Sequence, residues 1–193
     1  GKYLQKAEKG SQSKGFVLPY GDSPFDDEPV GETVYMDILN RAKKYVHIMT
    51  PYLIIDQSMI TALTFAAKRG VDVKLILPHI PDKKFAFALA KSHYKELLKA
   101  GVRIYEYTPG FVHAKIFTSD DEKAVVGTIN LDYRSLYLHF ECAAFLYQVE
   151  EIAEIEKDFQ RTLEKCQEVT LENRKKGTFF LRLEGWLLKW LAP

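Results

Sequence analysis

The chain has no run of about 18 apolar residues free of charge, so it encodes no membrane-spanning helix, and it carries no signal peptide. It opens on Gly1 rather than Met and reads as a processed fragment, with any membrane anchor of its parent lying upstream. An excess of one charge sign is missing too. The 27 basic and 26 acidic residues leave a formal net charge of +1, without the electrostatic footprint of a dedicated nucleic-acid binder, so nucleic acid is not an expected partner. Cysteine is scarce: Cys142, in a strand-like apolar run, and Cys166, on a helical stripe, read as small buried hydrophobes in a reducing compartment, with no disulfide expected. What remains is ordinary. A length of 193 residues with 47% apolar content suffices for one domain around a buried core.

Residues 1–15 are polar and read as a linker or frayed tail, 16–170 as the globular domain, and 171–193 as a terminal amphipathic helix. Phe16 to Tyr20 is a short strand candidate. The Pro, Gly and Asp content of 21–29 marks a loop, either plain surface or the rim of a pocket. Val34, Ile38, Leu39 and Ala42 fit a helix over 32–44, and a strand follows from Tyr45, holding His47 as a hydrogen-bonded core histidine. Asp56 can cap a helix whose stripe is Ile60, Leu63 and Ala67, closed by Gly70. Val71 to Leu77 has the unbroken apolar pattern of a strand buried on both faces. A helix over 84–99 ends at Gly101, and Val102 to Tyr107 makes another strand. Strand and helix alternate, which predicts an α/β fold. Beyond residue 139 come a strand to Gln148 and an amphipathic helix over 150–167 striped by Ile152, Ile155, Phe159, Leu163 and Cys166.

Between these elements lies HAKIFTSDDEKAVVGTIN, residues 113–130, which reads as a β-hairpin. His113 and Lys115 lie two apart in a β-rich run and should point the same way, placing a nucleophile and a cation on one surface. The acidic turn 119–122 breaks the run, and a second strand of β-branched residues follows. A turn centred between Asp120 and Asp121 sets His113 roughly opposite Thr128, with Asn130 just beyond. Gly127 lets a substrate or another backbone approach closely. In the strand after 139, Glu141 is a carboxylate among apolar neighbours, costly unless paired. His113 is its natural partner, since an imidazole that attacks through one nitrogen is oriented by an acceptor on the other; pairing with Arg134 or Lys115 is the alternative.

The pattern His113-x-Lys115-x4-Asp120-x6-Gly127-Thr128 resembles the HKD signature of the phospholipase D superfamily. The continuation to Ser135, with Thr50 to Asp56, Gly70 to Val73 and Tyr107 to His113 upstream, is similar to the bacterial cardiolipin synthase branch. The resemblance runs from about residue 16 to the C-terminus and covers only the second half of such a synthase, whose family carries two motifs. His93-x-Lys95 is a coincidence inside a helix, with Ala100 where Asp would stand. The resemblance implies a phospholipase D-like domain with a mixed β-sheet flanked by helices on both faces.

A phosphodiester is an anion, so attack on it calls for a preorganised cation and neutral donors, and Lys115, Thr128 and Asn130 suit that need. No carboxylate or His/Cys cluster at this site has metal-ligand spacing, so no metal or other cofactor is expected. Histidine, with a free pKa of ~6.5, is largely neutral near pH 7 and available as a nucleophile. The resemblance implies that His113, Lys115 and Asp120 make up the catalytic set and that His113 or its counterpart forms a phosphohistidine, while the second motif's histidine protonates the leaving alcohol. Asp120, in the turn, is expected to fix hairpin geometry more than to transfer protons. One histidine does not serve both faces of phosphorus, so the partner is an upstream HKD domain or a second copy of this chain.

The expected reaction is phosphatidyl transfer between two phosphatidylglycerols to give cardiolipin and glycerol, at the cytoplasmic face of a bacterial membrane. A single-motif phosphodiesterase or nuclease acting as a homodimer is the alternative, and a non-catalytic lipid-binding fragment a third. The segment 178–193, with Trp186 and Trp190, suits either a membrane interface or packing on the other half. His79 and Lys83, after the carboxyl end of a strand, either meet a lipid phosphate or sit in a solvated loop.

Overall fold

A computed structural model of the protein describes residues 14–25 and 27–172. The first half contains β1 (Phe16–Asp22), α1 (Val30–Arg41), β2 (Tyr45–Met49), β3 (Leu53–Ile54), α2 (Gln57–Lys68), β4 (Asp72–Pro78), α3 (Lys84–Ala100) and β5 (Arg103–Tyr107). The second contains β6 (Ile116–Ser119), β7 (Lys123–Gly127), β8 (Leu131–Asp132), α4 (Tyr133–Tyr137), β9 (Glu141–Tyr147), α5 (Glu151–Leu163) and β10 (Cys166–Val169). Of the predicted tail over 1–15, residues 1–13 lie outside the described residues, as does the C-terminal helix beyond residue 172.

The fold is α/β around a mixed sheet of eight strands in the order β1-β9-β7-β6-β2-β4-β5-β10 among the described residues. β2, β4 and β5 run parallel at its centre, and antiparallel strands extend it on either side. Alternation along β2 assigns the two faces. Val46 and Ile48 face the core under α1, α2 and α3, packed with Tyr35, Leu39, Leu63 and Leu97. Met49 faces Phe159 of α5 on the other side. Helices therefore cover both faces.

Local signals account for most boundaries. The Asp56 carboxylate accepts from the Met59 amide at 2.9 Å and starts α2. Gly101 ends α3 at φ 99°, a left-handed backbone open to glycine at little cost. His47 is the expected core histidine: its Nδ1 lies 2.7 Å from Glu156 Oε1, and its ring stacks on Phe159 at 4.8 Å.

Three expectations change. α5 ends at Leu163, and Cys166 opens the edge strand β10 opposite Tyr107 instead of continuing the helical stripe. Cys142 is exposed, not buried, because β9 turns it away from the core. Cys166 is half-buried, and burial pushes its thiol up to about 11. The short helix α4 and strand β8 have too few residues for a periodic signal.

Candidate active site

The hairpin forms, with a different register from the one expected. Asp120 and Asp121 both take positive φ, 56° and 60°, as a tight two-residue turn requires, and the Glu122 amide donates to the Ser119 carbonyl at 3.0 Å. Ser119 nevertheless pairs with Lys123, leaving Glu122 as an extra residue after the turn. The pairing is thus displaced by one, which reverses which side chains face each other. Regular strand begins only at Ile116, so His113 and Lys115 occupy the extended segment before β6.

That segment leaves the sheet beyond the carboxyl ends of β2, β4 and β5, where open α/β sheets place ligands. His113 is exposed, and its ring lies 5.8 Å from that of Phe111. The Lys115 ammonium folds back to donate to the His113 carbonyl at 2.6 Å, so cation and imidazole share one patch. Burial lowers the Lys115 pKa below the ordinary lysine range, and the Glu141 and Asp132 carboxylates pull it part of the way back.

Glu141 does not hydrogen-bond to His113. Its carboxylate accepts from the Thr128 hydroxyl on one oxygen and from Ser135 Oγ at 2.8 Å on the other, with His139 Nδ1 at 3.7 Å. Thr128 Oγ1 also accepts the Cys142 amide at 3.0 Å. Asn130 Nδ2 donates to Ser135 Oγ at 2.9 Å, and its buried Oδ1 has no partner among the described residues. Thr128, Asn130 and Glu141 thus join in one network, and Lys115 lies within electrostatic reach of it. The His113 ring has no hydrogen-bond partner among the described residues.

Ser135 and His139 are members the sequence reading missed. Ser135 is held by Asp132, which caps α4 by accepting from the amides of Arg134 and Ser135. An Asp three residues before a Ser is a legible capping signal. Its link to Glu141 depends on the tertiary fold and is not.

Asp120 lies away from this patch. Its oxygens accept from the amides of Lys43, Lys44 and Tyr45, at the start of β2, whereas His113 and Lys115 lie past that strand's end. Five steps along extended chain separate it from Lys115, roughly 16 Å. Gly127 permits the approach of a backbone rather than a substrate: a Cβ there would fall on the Cys142 carbonyl and on Ala143 of β9.

The arrangement is a candidate site at the carboxyl end of the parallel strands of an α/β sheet. The same fold occurs in a solved phospholipase D family member, Nuc from Salmonella typhimurium, with a TM-score of 0.69, 16% identity and coverage of 81% of this chain and 99% of that one. The family model for the cardiolipin synthase, phospholipase D-like domain matches residues 35–163, and the chain belongs to that family. It is 35% identical over 191 residues to a cardiolipin synthase of Halalkalibacterium halodurans, covering 99% of this chain and 38% of that protein. It is 59% identical over 181 residues to an uncharacterized protein of Streptococcus mutans, covering 94% of this chain and 39% of that protein. The chain spans about two fifths of the length of these curated relatives.

Proposed function

We propose that this chain is the C-terminal catalytic half of a cardiolipin synthase-like phosphatidyl transferase acting through a phosphohistidine on His113. The observation that carries this is the Lys115 ammonium folded onto His113, beside the hydrogen-bonded set of Thr128, Asn130, Ser135 and Glu141. The relatives' greater length supports the half-enzyme role.

A ring nitrogen of neutral His113 attacks phosphorus of phosphatidylglycerol. The P–N bond forms as the P–O bond to glycerol breaks, and the departing alkoxide takes a proton from the second histidine. That histidine, from an upstream HKD domain or a second copy of this chain, then removes the proton from the hydroxyl of another phosphatidylglycerol. The oxygen attacks the phosphohistidine, the P–N bond breaks, and cardiolipin leaves with His113 restored. Lys115 supplies the positive charge that offsets the phosphoryl oxygens. Glu141 accepts the hydroxyl protons of Thr128 and Ser135 and so holds these side chains in place, rather than the nucleophile. Asn130 Oδ1 is an acceptor for a substrate hydroxyl. Asp120 is a positioning residue at the other end of the hairpin.

The test is incubation of the chain, alone and with an upstream HKD half, with phosphatidylglycerol vesicles and a chelator, followed by mass spectrometry. Cardiolipin and glycerol should appear in one of the two arms and vanish in His113→Ala. Product in His113→Ala, or none in either arm, sinks the assignment. Product that rises with the square of dilute protein identifies a second copy as the partner.

A further inference from the structure

If His113 attacks a phospholipid, its surroundings must meet the headgroup layer, because the acyl tails stay in the bilayer. The two flanks of the site differ in their fitness for that contact. On one, Phe111 beside His113 is 38% exposed, and its ring lies 6.5 Å from Tyr52. Lys83 Nζ sits 5.9 Å over the Tyr52 ring, and Tyr52 donates to Asp82 at 2.5 Å. The connection from β4 to α3 and the first turn of α3 add Ile80, 54% exposed, and Phe85, 56% exposed. Lys83 and Lys84 form no ion pair among the described residues.

The loop is anchored from below. His79 Nδ1 lies 2.9 Å from the buried Glu106 carboxylate, which Lys91 reaches at 3.2 Å. The crevice between this loop and Phe111 encloses only about 20 Å³, room for about one water, so no acyl chain enters it. The flank is therefore a surface of exposed apolar side chains interspersed with two lysines, which outnumber its one carboxylate, Asp82, and form no ion pair among the described residues.

On the other flank, Phe25 and Phe140 form an exposed edge-to-face pair, with the exposed acids Asp27 and Glu28 shortly after Phe25 in the chain, whose charges an anionic lipid would repel. The first flank combines apolar anchors with a local excess of positive charge.

We propose that the loop 79–83, the first turn of α3 and Phe111 dock on the surface of an anionic phospholipid bilayer and set His113 at its phosphate layer. This rests on the phosphatidyl-transfer function above. Ile80 and Phe85 enter the headgroup region, and Lys83 and Lys84 contact lipid phosphates.

The test is flotation of the full chain with vesicles of phosphatidylglycerol or of phosphatidylcholine, using variants at exposed positions and circular dichroism to check folding. Residues 173–193 are present in every variant, so their effect is common to all. Lys83→Gln with Lys84→Gln should lower partitioning onto phosphatidylglycerol about 25-fold at low salt, fivefold per lysine, and leave the weak binding to phosphatidylcholine unchanged. Ile80→Asp with Phe85→Asp should abolish binding, while Phe25→Asp with Phe140→Asp should leave it within about twofold. An environment-sensitive dye attached to the thiol that Ile80→Cys introduces, in a chain with Cys142→Ser and Cys166→Ser, should shift to the blue with phosphatidylglycerol vesicles.

Unchanged binding of the Ile80/Phe85 variant, or no dye shift, overturns the docking surface and assigns this face to a protein partner. His113→Ala should bind vesicles like the parent chain. Binding without turnover in any arm would leave docking standing and sink phosphatidyl transfer; turnover with binding indifferent to these variants would sink docking alone.

Discussion

Replacing Asp120 separates two costs that its turn combines. The carboxylate accepts three backbone amides, from Lys43 at 2.7 Å and from Lys44 and Tyr45 at 2.9 Å, while its own backbone sits at φ 56°. Hydrogen bonds to a charged group are worth roughly 1.5–3 kcal/mol each when buried; at this partly open site about 1 kcal/mol apiece is reasonable, about 3 kcal/mol in all. A Cβ in left-handed backbone adds roughly 1 kcal/mol. Asp120 already bears that Cβ, so Asp120→Ala should lose about 3 kcal/mol, and Asp120→Gly, which relieves the backbone cost, about 2. Asp120→Asn, which tolerates that backbone and keeps one acceptor oxygen, should lose roughly 1–2. Urea unfolding followed by circular dichroism measures the series. Losses below about 1 kcal/mol in all three would refute the tether, since removing three accepted amides must cost more than that. Equal losses in Ala and Gly would refute the backbone cost.

The pH dependence of the same site has a fixed sign. Burial pushes the Asp120 carboxyl up, but the amides of Tyr45, Lys43 and Lys44 outweigh it and hold the group below the usual carboxylate range. Between the folded value and the unfolded value near ~3.9 the unfolded chain binds more protons, so stability rises with pH through that window. The contribution is complete above the window and is lost as pH falls through the folded value. Asp120→Asn should flatten this part of the acid limb.

Gly127→Ala should destabilise by about 1–3 kcal/mol in the same unfolding assay, because the added methyl meets the β9 backbone and not a movable side chain. A neutral result would mean that β7 and β9 lie farther apart than the structure has them. In the phosphatidyl-transfer assay, the alkaline limb of the rate should fall below the ordinary lysine range, since Lys115 acts protonated and burial lowers its pKa. Lys115→Arg, slower but always charged, should remove that limb; a limb unmoved in this variant would assign it to another group.

Much of the fold was legible because its signals are local. The apolar runs of β2, β4 and β5, the Asp56 cap and the Gly101 stop each report on a few neighbouring residues. The two surprises at α5 and β9 share a cause. Cys166 fits the helical stripe by spacing, yet the chain turns at Glu164 and Lys165, and tertiary pairing with Tyr107 decides the strand. Likewise, Glu141 was recognisable as a carboxylate needing partners, but its choice of Thr128 and Ser135 follows from the pairing of β7 with β9, which no local pattern encodes.

The hairpin register shows how a local error spreads. The sequence marks the turn at Asp120 and Asp121 correctly, and positive φ at both confirms it. It does not show that Glu122 stands outside the ladder, its carbonyl accepting the Gln148 amide at 2.8 Å instead of pairing within the hairpin. That one residue moves the partner of every position back towards His113. The same geometry gives the spacing of His113, Lys115 and Asp120 a physical meaning. The first two stand where β6 begins, beside the carboxyl end of the parallel strands, and the third stands where β6 ends, tied to the first residues of β2. The interval from Lys115 to Asp120 is therefore the length of one strand. An insertion or deletion within 116–119 would detach Asp120 from Lys43, Lys44 and Tyr45 or shift Lys115 off the His113 carbonyl. The motif's spacing thus records a mechanical coupling between anchor and site, and its three residues need not touch the same substrate.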